Sequence, residues 1–239
     1  MSEIHKSHLL SPNFHHLEAA LGQGPTVMLF RHAPREFIPR GISVIEDLNN
    51  YSLTGEGRNQ AESFGRYLKG MKPELQVYET ISSPSGRSAD TLKHMLIGME
   101  RLDLLANVQK EPLLAGFGLM CPVYGQPMMN DLNNYCKGVT GELPISDEHS
   151  FQGAGKKLVN YLANKLMELP EEEPGAVTLC CSHDWYIGFI VGTYLKPGKD
   201  FQLSDLPKQL ECMLIQKAYI HGKNAVLIRY RDQLVTVFV

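Results

Sequence analysis

Short, unbroken apolar runs alternate with stretches of helical periodicity along this chain. Thr26-Val-Met-Leu-Phe30, Val77-Tyr-Glu-Thr-Ile81 and Ala176-Val-Thr-Leu-Cys-Cys181 are runs of this kind. Their length and β-branched content predict strands, and the first and last have no polar side to turn toward water. A weaker run over Leu104–Val108 predicts a further strand. Between them, Ala61, Phe64 and Leu68 recur at helical spacing and predict a helix over 54–70. Thr54 is placed to cap it and Glu56 suits its positive end. Further helices are predicted near 86–97, at 151–169 (stopped by Pro170) and over Trp185–Leu195. Residues 211–217, 225–230 and 234–238 alternate as strands, with a turn at Gly222-Lys-Asn224. The order β-α-β-α…α-β-α-β predicts an α/β, three-layer α/β/α sandwich. Its central sheet is expected to be mostly parallel, with antiparallel pairing at one edge.

The segments outside this pattern divide the chain. Residues 1–24 end in the breaker Gly22-Gln-Gly-Pro25 and read as an N-terminal arm; residues 25–239 read as one domain. Within that domain, the stretch 112–150 is irregular and rich in Gly, Pro, Asn and Met, as expected of a lid carrying substrate contacts. The arm holds four of the nine histidines, but at a spacing that fits no fixed ligand set, so no metal site is expected there.

Composition narrows the function. The 239 residues carry 23 Lys+Arg against 26 Asp+Glu, a formal charge of −3. This lacks the basic excess of a dedicated nucleic-acid binder. No apolar run is long enough to span a membrane, and no signal peptide is visible, so a cytoplasmic location is expected. Cys121, Cys136, Cys180, Cys181 and Cys212 show no zinc spacing and read as reduced, mostly buried thiols. GxSxG, HExxH and Walker motifs do not occur.

Ligands in open α/β sheets sit beyond the carboxyl ends of the strands. Behind the first run comes Arg31-His32-Ala33-Pro34-Arg35. Just inside the helix after the second comes Arg87, and the late strand is followed by Ser182-His183-Asp184. Three arginines, two histidines and one acid therefore converge. Guanidinium forks match phosphate oxygens and stay charged, so Arg31, Arg35 and Arg87 suit a phosphate dianion. His32 can act as nucleophile through its neutral ring, and His183 at a helix start can donate to another phosphate oxygen. Asp184 supplies a proton for the departing alkoxide, with proximity to phosphate favouring its protonated form.

These motifs resemble the histidine phosphatase (phosphoglycerate mutase-like) superfamily. Leu29-Phe-Arg-His-Ala-Pro-Arg35 is similar to its Arg-His-Gly signature. Leu53-Thr-Gly-Glu-Gly-Arg-Asn-Gln-Ala61 is similar to its Leu-Thr-x-x-Gly-x-x-Gln-Ala helix start. Ser82-Ser-Pro-Ser-Gly-Arg-Ser-Ala-Asp-Thr91 is similar to its Ser-x-x-x-Arg-x-x-x-Thr segment. The likeness covers residues 26–95 and 176–195. His183-Asp184 and the Arg31-His32-x-x-Arg35 spacing resemble the histidine acid phosphatase branch, in which the aspartate is the proton donor. The other branch takes its acid from a glutamate after the third strand. Here that region reads Pro112-Leu-Leu-Ala-Gly-Phe-Gly118, which leaves Glu111 as the alternative acid. Ala33 stands where the family has glycine and Phe37 where many acid phosphatases have proline. The chain is short for the acid phosphatase branch, so its cap must be small.

The resemblance implies a metal-independent phosphomonoesterase with no cofactor, acting on a small phosphorylated substrate through a phosphohistidine on His32. Asp184 is its expected acid, and Arg31, Arg35, Arg87 and His183 are its expected phosphate holders. The alternatives are a phosphoglycerate mutase-like phosphotransferase and a catalytically silent phosphate- or partner-binding module.

Overall fold

The computed structural model describes residues 15–37, 51–115, 151–197 and 201–239. Seven strands form one sheet in the order β3-β2-β4-β1-β5-β6-β7. They are β1 (Thr26–Arg31), β2 (Gln76–Ser82), β3 (Gln109–Lys110), β4 (Ala176–Ser182), β5 (Cys212–Ile220), β6 (Lys223–Tyr230) and β7 (Gln233–Phe238). β3, β2, β4 and β1 run parallel, whereas β1–β5, β5–β6 and β6–β7 are antiparallel. The antiparallel part is the expected edge, formed by the three strands β5, β6 and β7.

Strand alternation builds both layers. Met28 and Phe30 of β1 face a core shared with α1 (His15–Ala20), α2 (Gly55–Met71) and α3 (Gly86–Gly98). Val27 and Leu29 face the opposite core, under α4 (Phe151–Met167) and α5 (Asp184–Ile190). β1 and β4 are therefore covered on both sides, as their unbroken apolar runs require. The predicted helix faces hold as well. Ala61, Phe64 and Leu68 are buried, and Thr54 Oγ1 accepts the Gly57 N–H at 2.9 Å as the cap of α2.

Four expectations change. Residues 102–107 form a 3-10 turn with Leu102 exposed, leaving only Gln109–Lys110 to pair with β2; too few apolar positions there face inward to make a strand. The β5–β6 turn is His221-Gly222, both at positive φ, rather than Gly222–Asn224. These left-handed positions suit a tight two-residue hairpin. α5 begins at Asp184, with His183 as its cap residue, and continues as a π-helical turn over Val191–Leu195. The end of the expected arm is part of the domain, because Leu17, Ala20 and Leu21 are fully buried against the sheet. Most of the expected lid, residues 116–150, lies outside the described residues, as do Cys121 and Cys136. Cys180, Cys181 and Cys212 are free and buried. No described helix is long and apolar enough to cross a membrane.

Candidate active site

The carboxyl ends of β1 and β4 lie side by side. Arg31 pairs with Ser182 in the parallel ladder, and the His32 N–H donates to the Ser182 carbonyl at 3.0 Å. That register sets the residues after each strand, His32 and His183, next to one another with ring centroids 5.2 Å apart. α3 then delivers Arg87 from its first turn. The three side chains are only 3%, 7% and 8% exposed, for His32, His183 and Arg87 respectively.

Their hydrogen bonds fix both tautomers. His32 Nδ1 lies 2.7 Å from the Ala33 carbonyl, which can only accept, so Nδ1 carries the proton. The lone pair is left on Nε2, to which Arg87 Nε–H donates at 3.3 Å. Arg87 also donates through a terminal nitrogen to His183 Nδ1 at 3.3 Å. His183 Nε2–H therefore points to Ser83 Oγ, 2.9 Å away. One guanidinium addresses both imidazoles, and both rings are neutral. Burial first, then the Arg87 charge, pulls the His32 pKa down to about 3. The same causes hold His183 well below the usual imidazole value. Burial and the nearby Arg35 bring even Arg87 down to about 10.

Arg31 uses its terminal nitrogens for the Pro207 carbonyl, at 2.9 Å, and for Asp184 Oδ2, at 2.8 Å. Its buried Nε–H has no partner among the described residues. A buried donor left without an acceptor is costly, and an incoming anion would satisfy it. Asp184 Oδ1 accepts the Trp185 N–H at 2.9 Å. Arg35 follows a short antiparallel bridge to Leu53 and feels the charges of Asp184 and Arg31. The Pro34 carbonyl accepts the Thr54 N–H, and it lies where a Cβ on Gly57 would come within 2.0 Å. Glycine at that position lets the segment after β1 dock on the start of α2. Ala33, by contrast, has negative φ and is fully buried, so replacing the family glycine forces no backbone strain.

Six of the seven expected residues are thus brought together: Arg31, His32, Arg35, Arg87, His183 and Asp184. Glu111 is not. Its Oε1 accepts the Leu113 N–H at 2.8 Å, and its carboxylate acts on Tyr161 of α4. Sequence reasoning missed a buried hydroxyl floor. Ser83, Ser85 and Ser88 interlink at 2.9 Å beneath His183, and Thr91 Oγ1 accepts the Ala33 N–H at 3.1 Å. Ser83 and Thr91 stand at the named positions of the Ser-x-x-x-Arg-x-x-x-Thr segment, which was the available signal. Among the described residues, no group of three or more His, Cys, Asp or Glu side chains is arranged to hold a metal ion.

The fold is α/β, and it gathers two histidines and the arginines around them at the carboxyl ends of β1 and β4. Residues 27–118 match the model of the histidine phosphatase superfamily (branch 1), so the superfamily recognised from the motifs is the one whose model matches. The acid phosphatase subtype finds no support in that match. Among solved structures, the chain is similar to a phosphoserine phosphatase from Entamoeba histolytica in complex with 3-phosphoglyceric acid. That likeness has 19% identity and TM-score 0.52, and covers 88% of this chain and 96% of the other. It is also similar to a mycobacterial glucosyl-3-phosphoglycerate phosphatase, at 15% identity and TM-score 0.53, covering 87% of this chain and 98% of that one. At these identities the likeness is one of fold. No curated protein sequence matches significantly.

Proposed function

We propose that the protein is a phosphomonoesterase acting on a small phosphorylated substrate by two in-line displacements at phosphorus. The observation that carries this reading is His32: buried, neutral, with Nδ1–H fixed on the Ala33 carbonyl and the Nε2 lone pair beside Arg87. In the first step, Nε2 forms an N–P bond as the ester P–O bond breaks, and Asp184 gives its proton to the leaving oxygen. In the second, Asp184 as carboxylate takes a proton from water, whose oxygen attacks phosphorus and returns His32 neutral. Arg31, Arg35 and Arg87 hold the phosphoryl oxygens and supply the positive field that a metal supplies in other phosphoryl-transfer sites.

The dianion competes with the two imidazoles for the Arg87 N–H groups. His183 Nε2–H is spent on Ser83, so His183 donates to phosphate from Nδ1 either by gaining a proton there or by moving its proton from Nε2 while the Ser83 hydroxyl turns to donate. Asp184 must likewise exchange its Arg31 contact for a shared proton before it can act as the acid. Similar structures of phosphoserine phosphatase from Entamoeba histolytica are complexes with phosphoserine and with 3-phosphoglyceric acid, which supports the substrate class.

The test is a rapid alkaline quench during turnover of a labelled phosphate ester. A base-stable, acid-labile N-phosphoryl adduct on His32 is expected. Continued phosphate release with no adduct at His32 overturns the reading.

A further inference from the structure

Arg31 does not stand alone: one side of its guanidinium is pinned by the carbonyl of Pro207, in the connection leading to β5. That connection also brackets the end of β1. The Leu210 N–H donates to the Arg31 carbonyl at 3.1 Å, and the Arg31 N–H donates to the Glu211 carbonyl at 3.3 Å. Residues 204–211 have some ties of their own, the Glu211 N–H donating to the Lys208 carbonyl at 3.0 Å and the Asp205 carboxylate accepting the Gln202 N–H at 2.8 Å, and Leu210 is in the left-handed region at φ 61°.

The ties that reach the Pro207 end of this segment from outside it come from a side chain of the β6–β7 hairpin. Arg231 donates to the Ser204 carbonyl at 3.2 Å and to the Leu206 carbonyl at 3.2 Å. It also engages Glu211 through Nε at 2.9 Å and through a terminal nitrogen at 3.0 Å. Glu211 is buried, accepts the Lys208 N–H at 2.8 Å and the Tyr230 hydroxyl at 3.0 Å, and so ties the same loop from within. Burial alone would raise the Glu211 pKa, but the Arg231 and Lys208 hydrogen bonds outweigh it and hold the carboxyl below its ordinary value.

Position 231 makes the arrangement informative. It opens the two-residue β6–β7 turn at φ 56°, a conformation that favours glycine, asparagine or aspartate. Turn chemistry therefore does not explain an arginine here, whereas its four contacts to the loop do.

We propose that Arg231 is a positioning residue for the phosphate site, setting the Pro207 carbonyl that aims Arg31 and, through Arg31, the Asp184 carboxylate. Arg231 itself touches neither substrate nor His32. This inference rests on the proposed phosphate chemistry of the pocket, and its test separates the two.

The measurement is inorganic phosphate affinity, by calorimetry on variants that remain cooperatively folded, in a cycle with Arg31→Lys. Arg231→Lys keeps a charge for Glu211 but cannot reach both carbonyls and both carboxylate oxygens at once. Arg231→Gly with Glu211→Gln removes the pair without leaving a buried charge and relieves the left-handed backbone. Each change should weaken phosphate binding about tenfold in the natural background and by less than about twofold when Arg31 is already lysine. Equal weakening in both backgrounds, or lower thermal stability with unchanged affinity, means that Arg231 is merely structural and overturns the inference. Phosphate binding without turnover of any ester would sink the phosphatase reading and leave the cycle interpretable. A natural protein that binds no phosphate refutes both.

Discussion

Arg87 Nε–H is directed at His32 Nε2 across 3.3 Å, so the atom expected to attack phosphorus is already held by the group expected to receive the phosphate. The imidazole cannot be protonated there without placing two positive charges together in a buried pocket. A nucleophile kept neutral in this way is available over the whole working pH range.

Replacing His32 with alanine should therefore lower phosphate release from any ester at least about a thousandfold, as removal of a covalent nucleophile does. Thermal stability should fall only modestly, by about 1–3 kcal/mol, because the buried Arg87 Nε–H loses its acceptor on His32. A loss of activity that merely tracks unfolding in a melting scan would contradict the assignment.

The depressed histidine pKa values make stability depend on pH in a definite direction. With His32 at about 3 in the fold and near 6.5 in the unfolded chain, the unfolded state binds more protons between those values. Stability should be full above about pH 6.5 and fall as the solution is acidified below it, by an order of several kcal/mol if titration were complete. His183 adds in the same sense. Glu211, held below its ordinary value, contributes stability that is lost only at lower pH, below the carboxylate range. Urea midpoints between pH 7.5 and 4.5 should drop for the natural protein and drop less for His32→Ala.

Phosphate binding should take up a proton. At pH 8 the ligand is already a dianion, and a positively charged His183 with both ring nitrogens protonated keeps its Ser83 contact while donating from Nδ1. Calorimetry in buffers of differing ionisation enthalpy should show net uptake approaching one proton, abolished in His183→Asn. No uptake would mean that His183 stays neutral in the complex.

Asp184→Asn keeps an oxygen for the Trp185 N–H but has no proton of carboxylic acidity to give. Alkyl phosphate hydrolysis should fall at least about tenfold further than nitrophenyl phosphate hydrolysis, whose leaving oxygen needs little protonation. Equal losses on the two substrates would remove Asp184 from the acid role.

Gly57→Ala places a Cβ 2.0 Å from the Pro34 carbonyl oxygen. Backbone must shift to admit it, at a cost of about 1–3 kcal/mol read in a denaturant titration. Activity should fall beyond what stability explains, because the same movement carries Arg35.

The legible part of this protein was the part governed by burial on both faces. β1 and β4 announce themselves because they are buried along nearly their whole length, and the chemistry follows where each run stops. α2 is equally plain, from its cap at Thr54 to the spacing of Ala61, Phe64 and Leu68. What stayed hidden depends on contacts between distant segments. Leu104–Val108 has the composition of a strand, yet the neighbouring chain pairs only at Gln109 and Lys110. The serines under His183 are common loop residues until the fold buries them. Nothing local marks Arg231, whose partners lie 20 to 27 residues earlier in the chain. Glu111, close to the site in sequence, is turned toward Leu113 and Tyr161 by the path of the chain after β3.

The Arg31–Ser182 rung of the β1–β4 ladder carries a wider implication. The proposed reactive groups hang from neighbouring strands and one helix start, so their placement is set by the sheet and α3. New molecular preferences can thus evolve by remodelling the stretches between these elements, with the attacking group and its anion cradle passed on intact.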